Sequence, residues 1–207
     1  MEYRRLGNTG LEVSLLGLGT NNFGSRCDEQ QTARVIDQSI DIGATFIDTA
    51  NIYSGTKSEE FIGKALKGKR EKAIVATKWS MPMGQGPNTR GGSRKHIMEQ
   101  IEGSLRRLQT DYVDLYQMHG PDSNTPVEET LRTLDDLIRD GKVRYIGCSQ
   151  HQAWQAAEAV WTSKALNLHA FVSAQNHYNI LKRDVERELV PFCKKYKMGI
   201  IPYFPLE

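Results

Sequence analysis

Phe46-Ile47-Asp48-Thr49-Ala50-Asn51-Ile52-Tyr53 begins as the end of a short apolar strand and passes at once into a polar loop. Asp48 stands at the strand tip. Tyr53 follows five residues later, near enough for both side chains to reach one pocket. The arrangement recurs twice downstream: the apolar run 73–77 ends in Lys78, and the run 113–118 ends in His119. Three successive strand-like runs therefore finish in an ionisable residue. In a parallel barrel all such ends lie on one face, where active sites are built.

Outward from this centre the chain alternates. Residues 2–14 read as a β-hairpin turning at Asn8-Thr9-Gly10, placed to plug the bottom of a barrel. Leu15–Gly19 is the first apolar strand. Its Gly17 and Gly19 do not make a dinucleotide fingerprint, because Asn22 stands where the third glycine belongs. Gly19-Thr20 instead lets backbone approach a ligand. Residues 28–42 form an amphipathic helix stopped at Gly43, and 58–66 a shorter one. The Gly-, Pro- and Met-rich stretch 79–92 is a mobile lip over a pocket. Ser93 caps a helix to Leu108. Thr125-Pro126-Val127-Glu128 reads as a capping box with proline at the first helical position, opening a helix to Gly141. Strands follow at 143–148, 171–175 and 199–203. A helix opens at Ser149-Gln150, and another covers 184–196 despite Pro191.

This is one α/β domain over residues 1–207, a (β/α)8 TIM barrel with an N-terminal hairpin. It holds seven β-α repeats, so the eighth strand and the C-terminal segment are lacking. The simplest account is that the 207 residues belong to a longer enzyme.

Composition narrows the function. A charged fraction of 25% and a net charge of +2 give no basic face for nucleic acid. No run approaches the roughly 20 apolar residues of a membrane span, and none follows Met1 as a signal peptide would. Three scattered cysteines make neither a disulfide framework nor a metal spacing, which fits a reducing cytoplasm. No two histidines have metal-site spacing, so no metal is expected. His96 and His151 read as lying on polar helix faces, His169 as a loop residue. His177 lies just past a strand end, near the pocket.

Taken singly, Asp48, Tyr53, Lys78 and His119 are ordinary; together they suit one task. A free phenol titrates near ~10, and a nearby ammonium favours its phenolate. Lys78 supplies that charge, Asp48 pairs with Lys78, and His119 orients a carbonyl oxygen. The set protonates an oxygen that becomes an alkoxide when hydride reaches its carbon. None of the four donates hydride, so a cofactor must.

At these residues the sequence resembles the aldo-keto reductases, in particular the bacterial aryl-alcohol-dehydrogenase-like and general-stress branch. The matching pieces are Gly17-Leu18-Gly19-Thr20, Phe46–Ala50 with Tyr53, Ala76-Thr77-Lys78, Leu115–His119, Gly147-Cys148-Ser149, Ser173-Ala174-Gln175 and Pro202–Leu206. The resemblance implies an oxidoreductase that reduces small aldehydes or ketones with NADPH, NADH being possible. Asp48, Tyr53, Lys78 and His119 match the catalytic tetrad, with Tyr53 the proton donor. Ser149 and Gln175 match residues that hold the nicotinamide carboxamide, Gln150 stands where many members have Asn and keeps the amide chemistry with a longer reach, and Tyr203 matches the aromatic stacked on the ring. Gly19 and Thr20 would approach the ring, with Asn21 and Trp79 on the substrate side. The family's adenine-binding segment has no counterpart here, which leaves NADP against NAD unread. Two other readings compete: a non-catalytic binding or regulatory module on a truncated barrel, and a Schiff-base lyase using Lys78.

Overall fold

Strand alternation builds this molecule, because successive side chains on a strand face opposite sides of the sheet. The computed structural model of the chain describes residues 1–206. A hairpin of β1 (Tyr3–Arg5) and β2 (Glu12–Ser14) comes first. Seven strands then pair in parallel and in chain order: β3 (Gly17–Gly19), β4 (Phe46–Asp48), β5 (Ile74–Trp79), β6 (Val113–Met118), β7 (Val143–Ser149), β8 (Ser173–His177) and β9 (Gly199–Tyr203). The connecting helices are α1 (Glu29–Asp41), α2 (Lys57–Ala65), α3 (Arg94–Leu108), α4 (Val127–Arg139), α5 (Ala153–Leu166) and α6 (Leu189–Tyr196). The result is a nearly closed α/β barrel with seven of the eight strands of the TIM fold; among the described residues β3 and β9 form its two edges.

Two apolar regions follow from the alternation. Outward residues Ile47, Val75, Tyr116, Ile146 and Ala174 pack beneath the helices against Ile36, Ile62, Ile101, Leu134 and Leu137. Inward residues Phe46, Ala76 and Leu115 pack with Leu6 and Val13 of the hairpin. The hairpin thus plugs the barrel floor. Gly7, at φ +59°, approaches so closely that a Cβ there would stand 2.4 Å from the Val172 carbonyl oxygen. Ser14 Oγ adds a hydrogen bond from the Phe46 N–H at 3.1 Å.

Local sequence explains most helix starts. Asp28 and Gln31 form a reciprocal capping box at α1. Ser93 caps α3. At α4 the expected capping box does not form. Pro126 is itself the cap residue, and Thr125 donates its hydroxyl to Asp122 instead, at 2.7 Å. The helix expected to open at Ser149-Gln150 starts at Ala153, since Gln150 has φ +59° and cannot be helical. The single helix expected over 184–196 is broken. A short 3-10 turn, Asp184–Glu186, precedes α6, and Pro191 falls in the first turn of α6, where its missing N–H costs nothing. His96 and His151 are buried, not on polar faces.

Candidate active site

Asp48 ends β4 with its carboxylate inside the barrel. Its Oδ2 lies 2.6 Å from Lys78 Nζ. Its Oδ1 accepts hydrogen bonds from Gln117 Nε2 and Gln175 Nε2, each at 3.0 Å. Lys78 is fully buried. Its ammonium has three donors, and three acceptors take them: Asp48 Oδ2, the Thr49 carbonyl at 2.8 Å and Tyr53 Oη at 3.3 Å. Burial pulls the Lys78 pKa down, but the Asp48 carboxylate and the Tyr53 phenol outweigh it and leave it raised. The charge is therefore kept in the interior, as a buried cation requires.

Tyr53 begins a tight turn whose next three residues, Ser54, Gly55 and Thr56, all have positive φ. Behind it, the buried Asn51 donates its N–H to the Lys78 carbonyl at 3.2 Å and its amide to Gln100 Oε1 at 2.9 Å. The Tyr53 ring meets His119 edge-on, with ring centroids 5.7 Å apart. His119 follows β6 directly and is pinned through its backbone. Its N–H donates to the Trp79 carbonyl at 2.8 Å, and its carbonyl accepts from Gln150 Nε2 at 2.9 Å. Ser80 Oγ bridges both backbone groups of the following Gly120 at 3.0 Å. Burial, and secondarily the Lys78 charge, push the His119 pKa down to about 3. The imidazole is neutral at ordinary pH, and its Nδ1 is buried without a partner.

These groups open into a cavity of about 860 Å³. Asp48, Tyr53 and His119 line one wall, and Gly19, Thr20 and Asn21 another. Ser149, Gln150, Gln175 and Tyr203 complete it. Thr20 offers contact surface only: its hydroxyl and N–H both donate to the Asp48 carbonyl, and its own carbonyl accepts from Ser58 Oγ and the Phe23 N–H. The amides of Gln150 and Gln175 reach His119 and Asp48 respectively. Tyr203 is stacked on His177, with ring centroids 5.2 Å apart, and His177 itself does not line the cavity. Ser149 Oγ is buried without a partner at the cavity wall, an available group for a polar amide. Trp79 departs from expectation. Lys78 faces inward on β5, so Trp79 must face outward; it is fully buried under the helices, stacked on Tyr116 at 4.4 Å. It does not line the substrate side.

Gln117, Ser80 and the Thr49 carbonyl were not singled out from the sequence. Gln117 had a usable signal, since it stands one residue before the end of β6, in phase with Leu115 on the inward face. A second cavity, about 760 Å³, lies beside the site between the loops 80–93 and 120–129. The expected lip 79–92 forms one of its walls. Among the described residues no three His, Cys, Asp or Glu side chains are grouped to hold a metal, and no helix is long and apolar enough to cross a membrane.

The aldo/keto reductase family model matches residues 15–207. This chain belongs to the aldo/keto reductase family. Among its relatives is the uncharacterized oxidoreductase YrpG of Bacillus subtilis, 42% identical, with the match covering 100% of this chain and 67% of that protein. A probable voltage-gated potassium channel subunit beta of Oryza sativa subsp. japonica is 38% identical, over 100% of this chain and 64% of its own length. A crystal structure of a thermostable aldo-keto reductase with the inhibitor epalrestat superposes with a TM-score of 0.88 at 37% identity, covering 100% of this chain and 73% of that one. Curated relatives are matched over 61 to 67% of their own length. Membership places the chain among NAD(P)H-dependent oxidoreductases that act on carbonyl compounds.

Proposed function

We propose that residues 1–207 form one domain that carries the catalytic centre of a carbonyl reductase, reducing small aldehydes or ketones to alcohols with NADPH or NADH. The observation that carries this reading is the saturated Lys78 ammonium, 3.3 Å from Tyr53 Oη and 2.6 Å from Asp48. A buried cation held against a phenol is a device for stabilising phenolate, which is what a tyrosine becomes after giving up its proton.

A reduced nicotinamide held in this cavity would supply hydride to the carbonyl carbon. Tyr53 gives its proton to the carbonyl oxygen, and Lys78 stabilises the phenolate left behind. Asp48 keeps Lys78 charged and in place. The neutral His119 imidazole orients the carbonyl oxygen by a hydrogen bond. Ser149, Gln150 and Gln175 hold the carboxamide, Ser149 with a hydroxyl that already lacks a partner. Tyr203 offers a ring face, Gly19 and Thr20 border the ring, and Asn21 borders the substrate. We place the protein in the cytoplasm, where its free cysteines Cys27, Cys148 and Cys193 stay reduced.

The complete tetrad favours turnover over a purely binding role. Lys78 is committed to Asp48 and Tyr53, which leaves no free amine for a Schiff base. The test is NADPH oxidation with a panel of aldehydes and ketones. Many cycles per protein molecule are expected; one stoichiometric burst and no more would mean a binding module.

A further inference from the structure

Two side-chain amides converge on one oxygen of Asp48, and they are not equivalent. Gln175 borders the cavity, where a ligand can reach it. Gln117 is 0% exposed and does not border the cavity. It lies sealed inside the barrel on β6, level with Gly147 of β7. A Cβ at Gly147 would stand 2.5 Å from Ser173 Oγ and 3.3 Å from Gln117 Cγ, so this glycine leaves the space the Gln117 side chain occupies.

We propose that Gln117 is a positioning residue: its amide fixes Asp48 against Lys78, and so leaves the Gln175 amide free to turn from Asp48 to the carboxamide of the cofactor. This rests on the reductase reading above. A part-buried carboxylate such as Asp48, whose side chain is 15% exposed, that loses a donor loses a hydrogen bond to a charged group, among the stronger hydrogen bonds in proteins. With Gln175 as sole amide donor, binding the cofactor would strip Oδ1 of its amide partners. With Gln117 in place, Oδ1 keeps one throughout, and Oδ2 stays on Lys78. No ligand approaching from the cavity can draw Gln117 away.

The experiment compares wild type, Gln117→Met, Asp48→Asn and the double variant. Each is titrated with NADPH by fluorescence and melted without cofactor. Gln117→Met should weaken NADPH binding by roughly 10- to 100-fold, the size of one hydrogen bond to a charged group. That loss should vanish in the Asp48→Asn background, and the melting midpoints should be non-additive in the same sense. Wild-type affinity in Gln117→Met, or an equal loss in both backgrounds, overturns the proposal. Gln117→Glu is the second variant, matched in length. Protonated, it still donates to Asp48; ionised, it repels Asp48. Turnover should therefore fall as pH rises, and a pH profile matching wild type overturns the proposal as well. Failure of the reductase reading looks different: a wild type that binds neither NADPH nor NADH, or Tyr53→Phe turning over at the full rate. The melting cycle then still decides whether Gln117 holds Asp48.

Discussion

The floor and the upper layer of the barrel are made by the same strands, two residues apart, and they are opposite in character. On β4 the inward residues are Phe46 and then Asp48; on β5, Ala76 and then Lys78; on β6, Leu115 and then Gln117. The first of each pair belongs to the apolar cluster closed by Leu6 and Val13. The second belongs to the hydrogen-bonded group around Asp48. The floor is held by packing, which tolerates any apolar side chain of the right volume. The upper layer is held by directed bonds, each of which needs a specific partner in a specific place. Stability and chemistry are thus separated along the barrel axis.

The backbone divides in the same way. At the bottom, left-handed residues such as Gln109, Asn167 and Lys197 are helix C-caps, where that conformation is ordinary. At the top, Ser54, Thr56, Ser80 and Gln150 have positive φ in loops that border Tyr53 and His119. Strain of this kind persists where the surroundings fix it, and it gathers around active sites.

The sharpest way to break this separation is Tyr53→Phe. It removes one oxygen from the upper layer and should lower turnover by roughly 10²- to 10⁴-fold, as loss of a positioned proton donor does. The affinity for NADPH should stay near wild type. Steady-state kinetics and a fluorescence titration measure the two. Leu115→Ala strikes the floor directly beneath and should do the reverse. It should cost about 2 to 5 kcal/mol of stability, read from chemical denaturation, with turnover per folded molecule little changed. A comparable loss of turnover would mean the layers are not separate.

A third test uses pH. Burial lowers the pKa of His96, His119 and His151, and for His119 the value is about 3. Below the ordinary histidine value of about 6.5, the unfolded chain takes up protons that these native imidazoles refuse. Stability should therefore fall as pH drops from about 6.5 towards about 5, above the range in which the carboxylates titrate. Thermal unfolding across that range reads the effect, and His119→Asn should flatten it. Turnover limited by His119 should show no protonation step in the same interval. The smallest expected effect is at the rim. Ser54→Gly at φ +50° should stabilise by about 0.5 to 1 kcal/mol, the left-handed cost of a non-glycine residue less the entropy glycine loses on folding. An unchanged or lower melting midpoint would mean the turn carries no strain.

Much of the fold was legible because its signals are local. Apolar runs of strand length alternate with helical spacing, and Asp28, Ser93, Gly43 and Gly141 punctuate them within a few residues. Where a local signal failed, a competing partner had won, near in sequence in one case and distant in the other. Thr125 abandons its cap for Asp122, and the strand expected at Phe171 begins at Ser173, in pairing with β7 and β9. The burial of His96 was hidden because the loop covering it has no periodicity to read.

By itself, the sequence determined that the ionisable residues end successive strands, because strand length and order are written in hydrophobic runs. It thereby determined that Asp48, Tyr53, Lys78 and His119 share one face. It did not determine which way a strand's last side chain points. Lys78 and Trp79 are adjacent in sequence, yet one enters the barrel and the other the helical shell. Nor did it reveal Gln117, whose role depends on Asp48, 69 positions away, and on the room left by Gly147. Only the closing of the sheet decides such matters, because the facing of a residue is set by register with neighbouring strands and not by its own neighbours in the chain.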